Sequence, residues 1–182
     1  MSFKKRLYIY VILSFISMGI VNARSITIQQ TIDWPEFMSS QDMIWEVLPE
    51  YWHESAYLGN GRLGLMIYKE PEKNYIRFET SNCDVHDHRE KRDVFGTPRL
   101  LTGHFALHPE GEIISGKMRL DLWNAEATTD IVTTKGAIHL KTFVHADDMI
   151  MIVKATTEGE EKNFQWEWIA AEANSPRYLC LL

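Results

Sequence analysis

Thr102-Gly103-His104-Phe105-Ala106-Leu107-His108 reads as a β-strand, because Gly103, Phe105 and Leu107 alternate with Thr102, His104 and His108. A period of two sends successive side chains to opposite faces of an extended backbone, one face buried and the other wet. Pro109-Glu110-Gly111 then breaks the run with turn-forming residues. The same period recurs downstream. Ile138, Leu140 and Phe143 stand among His139, Lys141 and Thr142, and Phe164, Trp166 and Trp168 alternate with Gln165 and Glu167.

Turn signals at Glu70-Pro71-Glu72-Lys73-Asn74, Lys135-Gly136, Asp147-Asp148 and Glu158-Gly159-Glu160 keep these runs short. Strands joined by such turns are most simply antiparallel. The pattern predicts about eight strands or more, near residues 63–68, 75–80, 100–108, 112–122, 126–134, 137–145, 149–156 and 163–171. With no strong helical stretch, the expected fold is an all-β antiparallel sandwich. An up-and-down barrel is the alternative, since alternation does not say whether a sheet stacks or closes. Residues 24–56, with Trp34, Trp45 and Trp52 spread among them, are less regular and are expected to wrap the sandwich before the first clear strand.

Lys4, Lys5 and Arg6 precede an uncharged apolar run from Leu7 to Val21, which closes on Val21-Asn22-Ala23. That is the layout of a signal peptide over residues 1–23, with a secreted or periplasmic protein as its consequence. A permanent membrane anchor competes as a reading, but about 15 residues fall short of the ~20 that span hydrocarbon. Lipid anchoring would need a cysteine at the cleavage site, and the two cysteines are Cys83 and Cys180. Those two either pair or stand as independent thiols.

Removing the leader's three basic residues leaves 16 Lys and Arg against 25 Asp and Glu, a formal charge of −9 for the domain over residues 24–177. Nucleic acid and anionic lipid are disfavoured as partners by that charge, and neutral ligands fit it better. A hydrophobic content of 45% excludes general disorder.

Two stretches invite a chemical reading. Leu58-Gly59-Asn60-Gly61-Arg62-Leu63-Gly64 runs directly into the apolar Leu65-Met66-Ile67-Tyr68. A phosphate-binding loop follows a strand and opens a helix, whereas this one opens a strand, so Gly59, Asn60, Gly61, Arg62 and Gly64 read as a tight hairpin or bulge. Cys83-Asp84-Val85-His86-Asp87-His88-Arg89 concentrates ionisable groups. On a strand Asp84, His86 and His88 would share one face, where a metal is one occupant. A polar loop reading sugar hydroxyls through Asp84, His86, Asp87, His88 and Arg89 is favoured over a metal, and a purely structural polar loop stands ahead of either. No catalytic residue, metal set or cofactor motif is assigned. Abundant carboxylates do not single out a glycosidase pair, and no Gly-x-Ser-x-Gly elbow is present.

Taken in order, Trp45-Glu46-Val47-Leu48-Pro49, Tyr57-Leu58-Gly59-Asn60-Gly61-Arg62-Leu63-Gly64, Met118-Arg119-Leu120-Asp121-Leu122-Trp123-Asn124-Ala125-Glu126-Ala127 and Lys141-Thr142-Phe143-Val144-His145 resemble the opening of glycoside hydrolase family 95, the α-L-fucosidase family. The resemblance runs over roughly residues 45–170. It implies an N-terminal domain of super-sandwich type, carbohydrate as partner, and a following (α/α)6 barrel that holds the catalytic acid and base. Residues 77–89 depart from the fucosidase pattern and look more like an uncharacterised relative of the kind filed as domain-of-unknown-function family 5703. No barrel sequence precedes Leu182, so no catalytic residue is carried over, and the apolar ending at residues 178–182 is read as the mark of a fragment.

Overall fold

The second strand-forming run, Ile76 to Asn82, lies at the centre of one of two stacked sheets in a computed structural model that describes residues 32–87 and 99–172. In chain order the elements are a short helix α1 (Trp34–Ser39), β1 (Met43–Trp45), a 3-10 turn (Trp52–Glu54), β2 (Ala56–Gly59), β3 (Leu63–Lys69), β4 (Ile76–Asn82), β5 (Gly103–His108), β6 (Ile113–Asp121), β7 (Glu126–Thr133), β8 (Gly136–Val144), β9 (Met151–Gly159) and β10 (Gln165–Ala170). One sheet has the order β1-β6-β7-β8-β9 and the other β10-β5-β4-β3-β2, with every pairing antiparallel. The fold is therefore an all-β antiparallel sandwich, and the barrel alternative is set aside.

Alternation builds the core as expected. Ile67, Ile76, Phe78 and Leu107 face inward from the second sheet, and Met118, Leu120, Ile131, Ile138 and Leu140 meet them from the first. Phe78 and Ile67 have no exposed surface. Burying such side chains is the main favourable term in folding.

The chain changes sheet between β1 and β2, between β5 and β6, and between β9 and β10. Polar clamps hold the two ends. At one end the carboxylate of Glu161, in the β9–β10 link, accepts from the backbone N–H groups of Glu110 and Gly111 and from the Thr133 hydroxyl. At the opposite end Asn60, in the β2–β3 turn, reaches the β8–β9 turn.

The N-terminal segment departs from the expected irregular wrap. Asp33 caps α1 by accepting from the Glu36 N–H, β1 forms an edge of the first sheet, and β2 an edge of the second. Asp42 pins this segment down. Its carboxylate has no exposed surface, accepts from the Arg119 guanidinium at 2.8 Å from Nε, and accepts from the Leu122 N–H at 2.9 Å. Both edge strands are too short for an alternation signal. Among the described residues no helix is long and apolar enough to cross a membrane. Residues 1–23, 178–182 and Cys180 lie outside the described residues.

Candidate functional site

Leu58-Gly59-Asn60-Gly61-Arg62-Leu63-Gly64 forms the tight hairpin that its glycines suggest, with Gly59 and Gly64 as opposite partners at its mouth. Gly61 has φ +88°, a conformation that side chains disfavour. Asn60 organises the turn from both ends of its carboxamide. Its oxygen accepts from the N–H groups of Arg62 at 3.0 Å and Leu63 at 2.8 Å, while its nitrogen donates to the carbonyls of His145 at 2.9 Å and Asp148 at 3.0 Å. That arrangement aims Arg62 outward.

Arg62 meets Asp84, the first ionisable residue of the polar loop, at 2.8 Å. Two motifs separate in sequence thus share one rim. The hydrogen bond from Arg62 holds the Asp84 carboxyl below its usual range, followed in effect by a bond from the Cys83 thiol, and the same contact raises Arg62. Both side chains are well exposed, so the pair orients more than it stabilises.

The polar loop is not a strand at its start. Cys83 and Asp84 occupy a turn in which the Asp84 N–H bonds to Asn82 Oδ1 at 2.8 Å. Farther on, His86 pairs with Arg99 in an isolated antiparallel bridge, and the Leu100 N–H donates to the Val85 carbonyl at 3.0 Å. Asp87 is buried. His88 and Arg89 lie outside the described residues. The strand geometry that would have put Asp84, His86 and His88 on one face does not hold at Asp84, which is committed to Arg62. Among the described residues, no group of three or more His, Cys, Asp or Glu is placed to hold a metal ion.

Beside this rim lies a cleft of about 460 Å³, lined in part by the β8–β9 turn and β10. Its walls are Phe105 and Trp168 from the second sheet, Met149 and Ile150 from the turn and Met151 at the start of β9, with Thr80, Asn82 and Thr102 at the polar side. A smaller hollow of about 290 Å³ around Arg62, Ser81 and Arg99 shares Leu63 and Asn82 with it. Both volumes are near or within the range of small-molecule sites. Trp166 and Trp168 do face inward, as a shared strand face requires, packing on Phe78 and Phe105. They nonetheless stay 40% and 46% exposed, because β10 is an edge strand with a neighbour on one side only. Nothing in the linear pattern marks which strand becomes an edge.

A second polar assembly occupies the outer face of the second sheet. The Tyr68 phenol donates to Glu79 at 2.6 Å, and Arg77 pairs with Glu70 at 3.0 Å. Arg77 Nε lies 3.2 Å from Glu79 but is badly aligned for a hydrogen bond. Burial, then the bond to Glu79, pushes the Tyr68 phenol up, whereas burial, then the Arg77 charge, pushes His104 down. The carboxylates Glu79, Glu161 and Asp42 are thus engaged by cations, hydroxyls or backbone amides. By contrast, the described residues lining the cleft carry no titratable side chain. No protein-family model matches the chain, and no curated protein matches it.

Proposed function

We propose that this chain is the non-catalytic N-terminal sandwich of a secreted or periplasmic carbohydrate-active hydrolase resembling the α-L-fucosidases. In this reading the domain, of super-sandwich type, supplies one wall of a saccharide-binding cleft. The acid and base belong to an (α/α)6 barrel outside these 182 residues. The observation that carries the reading is the rim at the Asn60 end. There the glycine turn and the polar loop meet through Arg62 and Asp84, beside a cleft lined by aromatic, hydroxyl and amide groups without a titratable one. Such a lining suits the recognition of neutral polyols and lacks a proton donor for bond cleavage.

A free-standing carbohydrate-binding module is the second reading, favoured by the half-exposed Trp168 at the cleft. Both readings predict binding without turnover. The full chain, expressed with its leader, is expected to retain oligosaccharides in a saturable manner and to release no chromophore from aryl fucosides or other aryl glycosides. Turnover abolished by Asp84→Asn or Glu79→Gln would overturn the non-catalytic assignment. The two readings separate in trans: only the wall reading expects the kcat/KM of a co-expressed barrel to fall on Arg62→Ala.

A further inference from the structure

Trp168 is held in place by a missing side chain. Gly103 of β5 has φ +138°, and a Cβ built there would lie 2.8 Å from Trp168 Cζ2 and 2.5 Å from the Ile169 carbonyl oxygen. The indole edge occupies the space that any other residue would fill. Phe105, the cross-strand partner of Trp168, backs the ring with centroids 4.6 Å apart. The indole is therefore fixed by β5 and remains 46% exposed toward the cleft. A rigid aromatic surface of this kind binds with little ordering cost.

The polar side of the same cleft has unspent hydrogen-bonding capacity. Asn82 Oδ1 accepts from Asp84 N–H, but its Nδ2 has no intramolecular partner among the described residues. Thr80 and Thr102 bond to each other at 2.8 Å, and the Thr102 hydroxyl also donates to the Thr80 carbonyl. Each hydroxyl keeps acceptor capacity, and both residues line the cleft.

We propose that this cleft is a saccharide subsite. A pyranose ring lays its C–H face on the Trp168 indole, and its hydroxyls accept from Asn82 Nδ2 and donate to the threonine oxygens. The proposal rests on the carbohydrate reading and deepens it. A purely apolar occupant, such as a hydrophobic strand, would strip water from the Asn82 amide without replacing its hydrogen bonds. A polyanion is opposed by the chain's formal charge of −6. A pyranose combines one apolar face with a ring of hydroxyls, and so matches both sides of the cleft.

The alternative role for Trp168 is to cover the Gly103 backbone and stabilise the sheet edge. Saccharide NMR separates the two roles, since a stacked ring moves sugar C–H resonances upfield and a merely structural indole does not. The full chain would be titrated with methyl pyranosides and with xylo- and cello-oligosaccharides, using AMP and an apolar dye as competitors. Trp168→Ala is expected to weaken binding about tenfold or more and abolish the upfield shifts. Asn82→Ala is expected to weaken it several-fold. If Trp168→Ala does not fold, Trp168→Phe, which keeps a smaller aromatic ring against Phe105, and Asn82→Ala decide the matter. Saccharide binding that is unchanged in Trp168→Phe and Asn82→Ala would overturn the subsite while leaving the carbohydrate reading intact. A wild-type chain that binds none of the saccharides would overturn both. Displacement of bound saccharide by AMP or the dye at lower concentration than the sugar itself would reassign the cleft to a nucleotide or an apolar partner.

Discussion

Glu161→Ala is expected to lower the unfolding free energy by about 3–5 kcal/mol, because a buried charged acceptor serves three donors there. Glu161 has no exposed surface. One carboxylate oxygen takes the Glu110 N–H, and the other takes the Gly111 N–H at 2.9 Å and the Thr133 hydroxyl at 2.6 Å. Each hydrogen bond to a charged group contributes roughly 1.5–3 kcal/mol, and the three share one carboxylate, so they do not simply add. Truncation strands two backbone N–H groups where the β5–β6 link, the β7–β8 turn and the β9–β10 link converge. Urea denaturation at pH 7 followed by far-UV circular dichroism measures the loss. An unchanged midpoint would remove Glu161 from any structural role.

The same residue makes stability depend on pH. Burial, the largest influence, raises its carboxyl, but the Thr133 hydroxyl and the two backbone N–H groups outweigh it and hold the group below its ordinary value of 4.5. A native value below the unfolded one means that the unfolded chain binds the proton more tightly. The contribution is therefore complete above the unfolded value and lost as pH falls through the folded one. Between pH 5 and pH 3 the wild type is expected to lose more stability than Glu161→Gln, which has no carboxyl at this position to protonate.

Asn60→Asp is expected to cost about 2–4 kcal/mol, at least as much as Asn60→Ala, although it is nearly isosteric. The oxygen of Asn60 has two donors to satisfy and the nitrogen has two carbonyls, those of His145 and Asp148. Aspartate keeps the first pair and replaces the second with an oxygen facing two oxygens. Alanine loses both pairs but introduces no repulsion. Because Met149 and Met151 follow the turn that Asn60 holds, Asn60→Asp is also expected to weaken ligand binding in the cleft more than its distance from Trp168 suggests. Thermal melts of the two variants side by side provide the check. A tolerated aspartate with a damaging alanine would show that the turn matters and the contact with the β8–β9 turn does not.

Several elements were legible before any coordinates. Gly103, Phe105 and Leu107 mark a strand because burial on one face imposes a period that survives in the sequence. The Gly59 to Gly64 stretch announces a hairpin because φ values above zero need glycine, and Gly61 has one. β1 and β2 were not legible, since three or four residues are too few to show a period and their place depends on β6 and β3. The shared face that a strand would give Asp84, His86 and His88 is likewise precluded by a local bond, from Asp84 N–H to Asn82, that sets a turn there.

The amino-acid order by itself determined that this chain forms short antiparallel strands with one apolar face, and that a glycine hairpin lies at residues 59–64, because both follow from interactions between near neighbours. Only the tertiary structure decided that the strands stack as two sheets, that Arg62 meets Asp84 across 22 positions, that Glu161 and Asn60 clamp opposite ends, and that Trp168 lines a cleft and stays half-exposed. The reason is that each of these depends on which strand becomes an edge and on how far the facing sheet extends, and these follow from packing between residues far apart in the chain.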